Sequence, residues 1–221
     1  MDLARISGRS LSLIAWLTLG GSFAHAQESA APALPTVVLQ TSLGAIEIEL
    51  DTIRAPVTAQ NFLKYVDANR FDGVTIYRAV KIGDDGKYGL VQGGIRGDRK
   101  RAFPPIAHES PSTTGLSHRD ATISMAREAP GSATGDFFFI VGDLVSLDGA
   151  PARDDPGYAV FGRVTTGMDI VRSILDLPRS ETADQEVMKG QMLAEPVKIT
   201  TARRSSAPAP IPASAPATTL P

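Results

Sequence analysis

No cysteine occurs anywhere in the 221 residues. That excludes disulfides, a lipoprotein anchor and every form of thiol chemistry. Histidine is nearly as scarce, with three in the chain. His25 falls in an N-terminal leader, and His108 and His118 have no helical or ligand spacing to each other, so no metal site is expected. Asp84-Asp85-Gly86 begins like a cation loop but lacks the later acidic ligand. No serine stands in a nucleophile-elbow pattern, and no glycine loop is spaced to cradle phosphate. His118-Arg119-Asp120 matches one triplet of a kinase catalytic loop whose other parts are missing. Charge of one sign is never concentrated either: the net is −2, and the basic run Arg99-Lys100-Arg101 sits in a loop. Nucleic acid and anionic membrane surfaces are therefore poor partners. A catalyst built on this chain would work without nucleophile, metal or nucleotide.

What is present begins with an address. Arg5 and Arg9, the apolar Leu11 to Leu19 and the small-x-small Ala24-His25-Ala26 read as a secretory signal peptide over residues 1–26. The apolar stretch is too short for a spanning helix, which needs about 20 residues. Cleavage after Ala26 would leave a chain of net charge −3 beginning at Gln27, and a bacterial periplasm is the expected destination. An Ala/Pro-rich segment follows over 27–35, and an Ala/Pro/Ser/Thr tail closes the chain over 204–221. Such composition buries too little apolar surface to offset its ordering entropy. Between them, 36–203 is long enough for one core, with no internal repeat, and a monomer is expected.

Thr36–Thr41 and Ala45–Leu50 read as an antiparallel pair, because Ile46, Ile48 and Leu50 alternate with Glu47 and Glu49. Ala55 to Ala68 reads as a helix with Pro56 in its first turn and Val57, Phe62, Tyr65 and Val66 as its apolar stripe. Strands are expected over Val74–Val80, up to Gln92, and over Ala121–Ala126, Asp136–Val141, Tyr158–Val164 and Val197–Thr201. A second helix, Met168 to Leu175, would be capped by Thr166. Ile95 to Arg119 is a long polar loop. Many short strands with two helices indicate an antiparallel barrel or sandwich.

Two polar side chains stand out within this pattern. Arg78 falls on the parity of Val74, Ile76 and Val80, and Gln92 closes the next strand before Gly93-Gly94. A guanidinium on an apolar parity must snorkel, pair with an acid or line a pocket. Together the two could grip a peptide amide. On these residues alone, a surface ion pair for Arg78 and a loop carbonyl for Gln92 are the readier explanation.

Ile76-Tyr77-Arg78, Val91-Gln92-Gly93-Gly94, Thr122 to Ala126, Ser132 to Phe138, Leu147-Asp148-Gly149 and Tyr158-Ala-Val-Phe-Gly162 occur in one order across most of Thr36 to Val164. In that order and spacing they resemble the cyclophilin family of peptidyl-prolyl isomerases, its exported bacterial members most closely. The resemblance implies a closed eight-stranded antiparallel barrel capped by two helices, with a site on its outer face. It implies that Arg78 is the catalytic arginine and Gln92 the pocket glutamine. Leu90, Phe138 and Leu147 would wall the proline pocket, Ala126 would lie beside the bound backbone, and Tyr158 takes a position that is histidine in many eukaryotic members. Substrates would be proline-containing unfolded or extended polypeptides, with no cofactor.

The chain departs from the family in four places. Lys81 to Gly89 replaces a short Pro-Gly-Phe turn, so the turn's pocket phenylalanine has no clear equivalent, and Tyr88 is the candidate for its ring. Asp136 replaces a common glutamine, Ser146 stands where eukaryotic members have tryptophan, and Ile95-Arg96 replaces the usual pair after Gly94. The altered Lys81 to Gly89 loop leaves a second reading open, a non-catalytic peptide-binding or chaperone module on the same barrel.

Overall fold

Residues 33–83, 86–150, 152, 154–182 and 188–205 are described by the structure, a computed structural model. The expected signal peptide, most of the 27–35 segment, Asp84-Asp85 and the tail beyond 205 lie outside the described residues.

Alternation sets the first hairpin. β1 (Thr36–Thr41) and β2 (Gly44–Leu50) pair antiparallel from Thr36 against Glu49 to Thr41 against Gly44. Val37, Leu39, Ile46, Ile48 and Leu50 point inward and are fully buried. Gly44 closes the turn at φ +132°, and a Cβ there would come within 2.6 Å of Ile170 Cδ1, so the turn requires glycine.

α1 (Pro56–Asp67) follows, with Ala55 and Ala68 at its caps. Its free N-terminal amides are met from across the chain: the Glu109 carboxylate accepts from Val57 N at 3.0 Å and from Thr58 N at 2.7 Å. Phe62, Tyr65 and Val66 are buried as expected, but Val57 is exposed. Five residues is about 140° of helix, which places Val57 nearly opposite Phe62.

β3 (Thr75–Ile82), β4 (Tyr88–Gly94), β5 (Thr122–Met125), β6 (Asp136–Val141), β7 (Ala159–Thr166) and β8 (Met192–Arg204) complete a closed barrel, in spatial order β1-β2-β7-β5-β6-β4-β3-β8. All its pairings are antiparallel. α2 (Pro111–Thr114) is one turn inside the long polar loop, and α3 (Met168–Asp176) is the second long helix. Thr166 does not cap α3. It ends β7, and Gly167 takes the N-cap in the left-handed region at φ +92°.

The core is aromatic at its centre. Phe62 lies 5.0 Å from Phe71, 5.3 Å from Phe137 and 5.3 Å from Phe161, ring centre to ring centre. These separations suit tilted and edge-to-face contact. β6 is apolar on both faces: Phe137, Phe139 and Val141 join this core, whereas Phe138 and Ile140 belong to a separate apolar cluster outside the barrel. The unbroken Phe-Phe-Phe-Ile-Val run is therefore the mark of a strand covered on both sides.

Two irregularities shape that outer face. β3 shifts register between Ile76 and Arg78: Ile76 pairs with Gly93 but Arg78 with Gln92, so Tyr77 is the extra residue. Beyond the bulge Ala79 points inward and Val80 outward, and Arg78 therefore does not share the face of Ile76 as strict alternation requires. β8 runs well beyond the expected Val197–Thr201. Met192 pairs with Arg78 and Val197 with Ile76, so four residues of β8 stand opposite Tyr77 alone, with Leu193 buried in the core and Ala194, Glu195 and Pro196 exposed. Pro196 has no N–H to give the ladder, which is why the strand is not continuous in sequence.

Candidate active site

The outward side chains of β4 and β6 make the floor of a groove of about 640 Å³. Leu90 and Gln92 on β4 stand beside Ile140 and Phe138 on β6, their register partners. Ala126 follows β5 and is held by its N–H donating to Asp136 O at 2.9 Å. Leu147 comes from a 3-10 turn over Val145–Asp148, and Tyr158 from the residue before β7. The two are tied by Tyr158 N donating to Leu147 O at 2.9 Å. Phe138, Ile140 and Leu144 form the buried part of this outer cluster, with Leu90, Ala126, Leu147 and Tyr158 packed on it. The Tyr158 ring meets Phe138 edge-on, 5.5 Å between centres at 85°.

Arg78 reaches along one side of the floor. Its Nη1 donates to Gln92 Oε1 at 2.8 Å, and Nε and Nη2 both donate to Gln191 Oε1, at 2.9 and 2.5 Å. The partners are neutral amides, so the ion pair allowed for by the sequence is not what holds Arg78. Burial draws its pKa below the ordinary arginine value, against the pull of the Tyr77 and Tyr158 hydroxyls. Arginine still stays charged at neutral pH.

Gln92 does not serve a loop carbonyl. Its Nε2 donates to Tyr77 Oη at 2.9 Å, and Tyr77 Oη donates to Asp136 Oδ1 at 3.1 Å. Asp136 also accepts from Arg96 N at 2.7 Å and from Gly97 N at 3.4 Å. Burial pushes the Asp136 carboxyl above its ordinary pKa, opposed by those donors. Burial likewise raises the Tyr77 phenol, with the Asp136 charge adding to the effect. The network runs from Arg78 to the residues that replace the usual pair after Gly94. Arg96 holds a left-handed φ of +49° there, its guanidinium 5.6 Å from the Tyr77 ring centre.

The groove therefore gathers Arg78, Gln92, Leu90, Ala126, Phe138, Leu147 and Tyr158. Tyr88 is the exception. It points to the same side as Leu90 but lies at the hairpin end, over Gly142, where an added Cβ would meet its ring at 2.3 Å. It is 43% exposed and is not among the groove walls. Met188 and Met192 are apolar walls of the groove that the sequence did not offer. Those two and Gln191 carry no local signal, because 177–196 has neither helical nor strand periodicity. They are brought in by pairing: Ala79 N donates to Gln191 O at 2.9 Å, directly beside Arg78. Among the described residues no group of histidines and acids is placed to hold a metal.

Residues 36–204 match the family model of cyclophilin-type peptidyl-prolyl cis-trans isomerases. A peptidyl-prolyl cis-trans isomerase of Acinetobacter baylyi is 35% identical over 184 residues, 83% of this chain and 90% of that protein. One from Streptomyces antibioticus is 36% identical over 171 residues, covering 75% of this chain and 99% of the relative. Isomerase B of Escherichia coli is 30% identical over 167 residues, 74% of this chain and 98% of its own. Among solved structures, a Cryptosporidium parvum cyclophilin superposes with a TM-score of 0.60 at 18% identity, over 79% of this chain and 99% of that one. A crystal structure of it in the presence of the dipeptide Ala-Pro gives 0.61 at 19% identity, over 77% and 99%. At that identity the structures speak for the shared barrel, while the family match and the bacterial relatives carry the assignment. This chain belongs to the cyclophilin-type peptidyl-prolyl cis-trans isomerases.

Proposed function

We propose that this isomerase turns X–Pro bonds in the outer groove, with Arg78 as the catalytic group, and that it does so after export to the periplasm. The observation that carries the first part is the Arg78 guanidinium, fixed by two neutral amide oxygens at the edge of an apolar floor. A prolyl amide rotates over a barrier of about 18–20 kcal/mol because resonance gives its C–N bond double-bond character. As the bond twists, the nitrogen lone pair localises. A charged N–H donor aimed at it gains more in the twisted state than in either planar one, and that difference is catalysis.

The remaining roles follow from position. Phe138, Leu90 and Leu147 take the pyrrolidine ring and exclude water from it, with Met188 and Met192 along the border. Gln92 both orients Arg78 and presents its amide to the peptide. Ala126, at the end of β5, offers backbone beside which an extended chain can lie. Lys81 to Gly89, the feature behind the binding-module reading, does not support it: its described residues lie at the hairpin end, with Lys81 Nζ 2.6 Å from Asp176 Oδ1. Isomerisation of a proline-containing chromogenic tetrapeptide tests the reading, since binding alone produces no turnover.

Export is supported by Arg5 and Arg9, the apolar Leu11 to Leu19 and Ala24-His25-Ala26, together forming a cleavable signal. Such a location would direct the enzyme to exported chains as they fold. N-terminal sequencing of the protein from cell fractions should give Gln27 in the periplasmic fraction. An intact Met1 in the membrane would refute it.

A further inference from the structure

Prolyl rotation has no use for an imidazole, yet His118 is fully buried directly behind the groove. Its backbone N–H and its Nδ1 both reach Asp148 Oδ1, at 2.8 and 2.6 Å. Ser117 Oγ donates to Asp148 Oδ2, and His118 Nε2 lies 3.0 Å from Ser124 Oγ. Since Asp148 accepts at Nδ1, the network assigns the proton to Nδ1, leaving Nε2 to accept from Ser124.

Serine, histidine and aspartate thus have the connectivity of a hydrolase triad. The chemistry does not follow, because Ser124 and His118 are both at 0% exposure and no scissile bond can reach the hydroxyl. What the unit touches is the proline pocket. The imidazole lies parallel to the Phe138 ring, 6.0 Å between centres at 8°, and is not itself among the groove walls. Asp148 is next in sequence to Leu147 and ends the turn that carries it. Leu144 N, at the start of that turn, donates to His118 O at 2.8 Å. One residue therefore backs one wall and anchors the support of another.

We propose that the Asp148–His118–Ser124 unit is the positioning device of the proline pocket, fixing Phe138 and Leu147 relative to each other. This rests on the outer groove being the isomerase site. An aliphatic backing would allow the Phe138 ring to slide. An imidazole bonded at both nitrogens has its plane set, and a fully satisfied polar unit in a dry interior resists distortion. The unit touches no substrate, so its effect falls on how well the ring of proline is held, not on the twisting bond.

The test uses the full chain with two variants. Asp148→Asn keeps the shape but weakens the carboxylate's bonds to Ser117 and His118, and His118→Phe keeps a ring beside Phe138 and the backbone bonds while losing the imidazole's bonds to Asp148 and Ser124. Each should raise KM, and the Kd of a proline-containing tetrapeptide, by about fivefold or more with kcat within about twofold. Unchanged KM and Kd in folded variants, with only the melting temperature lowered, would overturn the proposal. A third measurement needs no variant. The 15N and 1H resonances of the His118 ring in the wild-type protein should shift on saturation with the tetrapeptide, although the ring meets no solvent. Resonances that stay in place at saturation would overturn it even if neither variant folds. Arg78→Ala, run alongside, separates this from the reading beneath it: it should lose kcat while keeping the His118 response, and full activity in that variant would refute the groove assignment itself.

Discussion

Arg78 gives two nitrogens to one atom of Gln191: Nε and Nη2 converge on Oε1 at 2.9 and 2.5 Å, while Nη1 is held by Gln92. A guanidinium has five N–H donors, so this clamp leaves one free on each terminal nitrogen. The two amides fix direction without neutralising charge, which a carboxylate in either place would do. Gln191→Ala should therefore lower kcat/KM by about one decade, or about 1.4 kcal/mol, with most of the loss in kcat. Gln191→Glu should do at least as much damage, because its charge would compete for the donors meant for the substrate. Isomerisation kinetics on both variants check this. Equal rates for all three proteins would mean that Gln92 alone suffices.

Tyr88 offers a contrast inside the same strand. It lies over Gly142 and away from the groove walls. Tyr88→Ala should leave kcat/KM within about twofold and cost about 1 kcal/mol or less of stability, as expected for a partly exposed side chain. A tenfold loss of activity in a normally folded Tyr88→Ala protein would return this ring to the site.

The barrel was legible in the sequence where one face is wet. β2 alternates without a break, and its expected and observed pairings agree. Phe138, Leu90, Leu147 and Tyr158 came through resemblance, and they do meet in the outer cluster. Arg78 was found for a reason the structure corrects: its apolar parity is an accident of the bulge at Tyr77, a feature of pairing with β4 that one strand cannot reveal. Gln191 was invisible because its role depends on a backbone bond to Ala79, more than a hundred residues earlier in the chain. His118 was noticed only as a histidine without ligand spacing and as part of a chance kinase triplet, since burial beside Asp148 and Ser124 is set by the tertiary fold alone.

Asp136 gives a pH signature of known sign. Burial raises its folded pKa above the ordinary 3.8. Below that ordinary value both states are protonated and the group's stabilising share is fully present. As pH rises from there through the raised folded value, the unfolded chain releases the proton more readily and that share is lost. An asparagine side chain in its place cannot titrate. The stability of wild type relative to Asp136→Asn should therefore fall between pH 4 and pH 7, whatever the offset between the two. Urea denaturation of both proteins at the two pH values measures this. A relative stability that climbs with pH would mean the donors from Arg96, Gly97 and Tyr77 outweigh burial.

The most exacting test falls on Arg78 itself. If its guanidinium stabilises the twisted amide, Arg78→Ala should lower kcat/KM by two to three decades, or about 3–4 kcal/mol. The fold should lose little, about 1 kcal/mol, because the side chain reaches into a groove and its removal frees Gln92 and Gln191 to meet water. Arg78→Lys should recover only part of the rate: an ammonium carries the charge but cannot hold both amide oxygens and still aim a donor at the prolyl nitrogen. A purely structural Arg78 predicts the reverse, with lowered stability and full activity per folded molecule. Isomerisation kinetics and urea denaturation on the same three proteins separate the two patterns. An Arg78→Ala variant that folds normally and turns over at the wild-type rate would leave the twisted amide without a donor in this groove, and the mechanism with it.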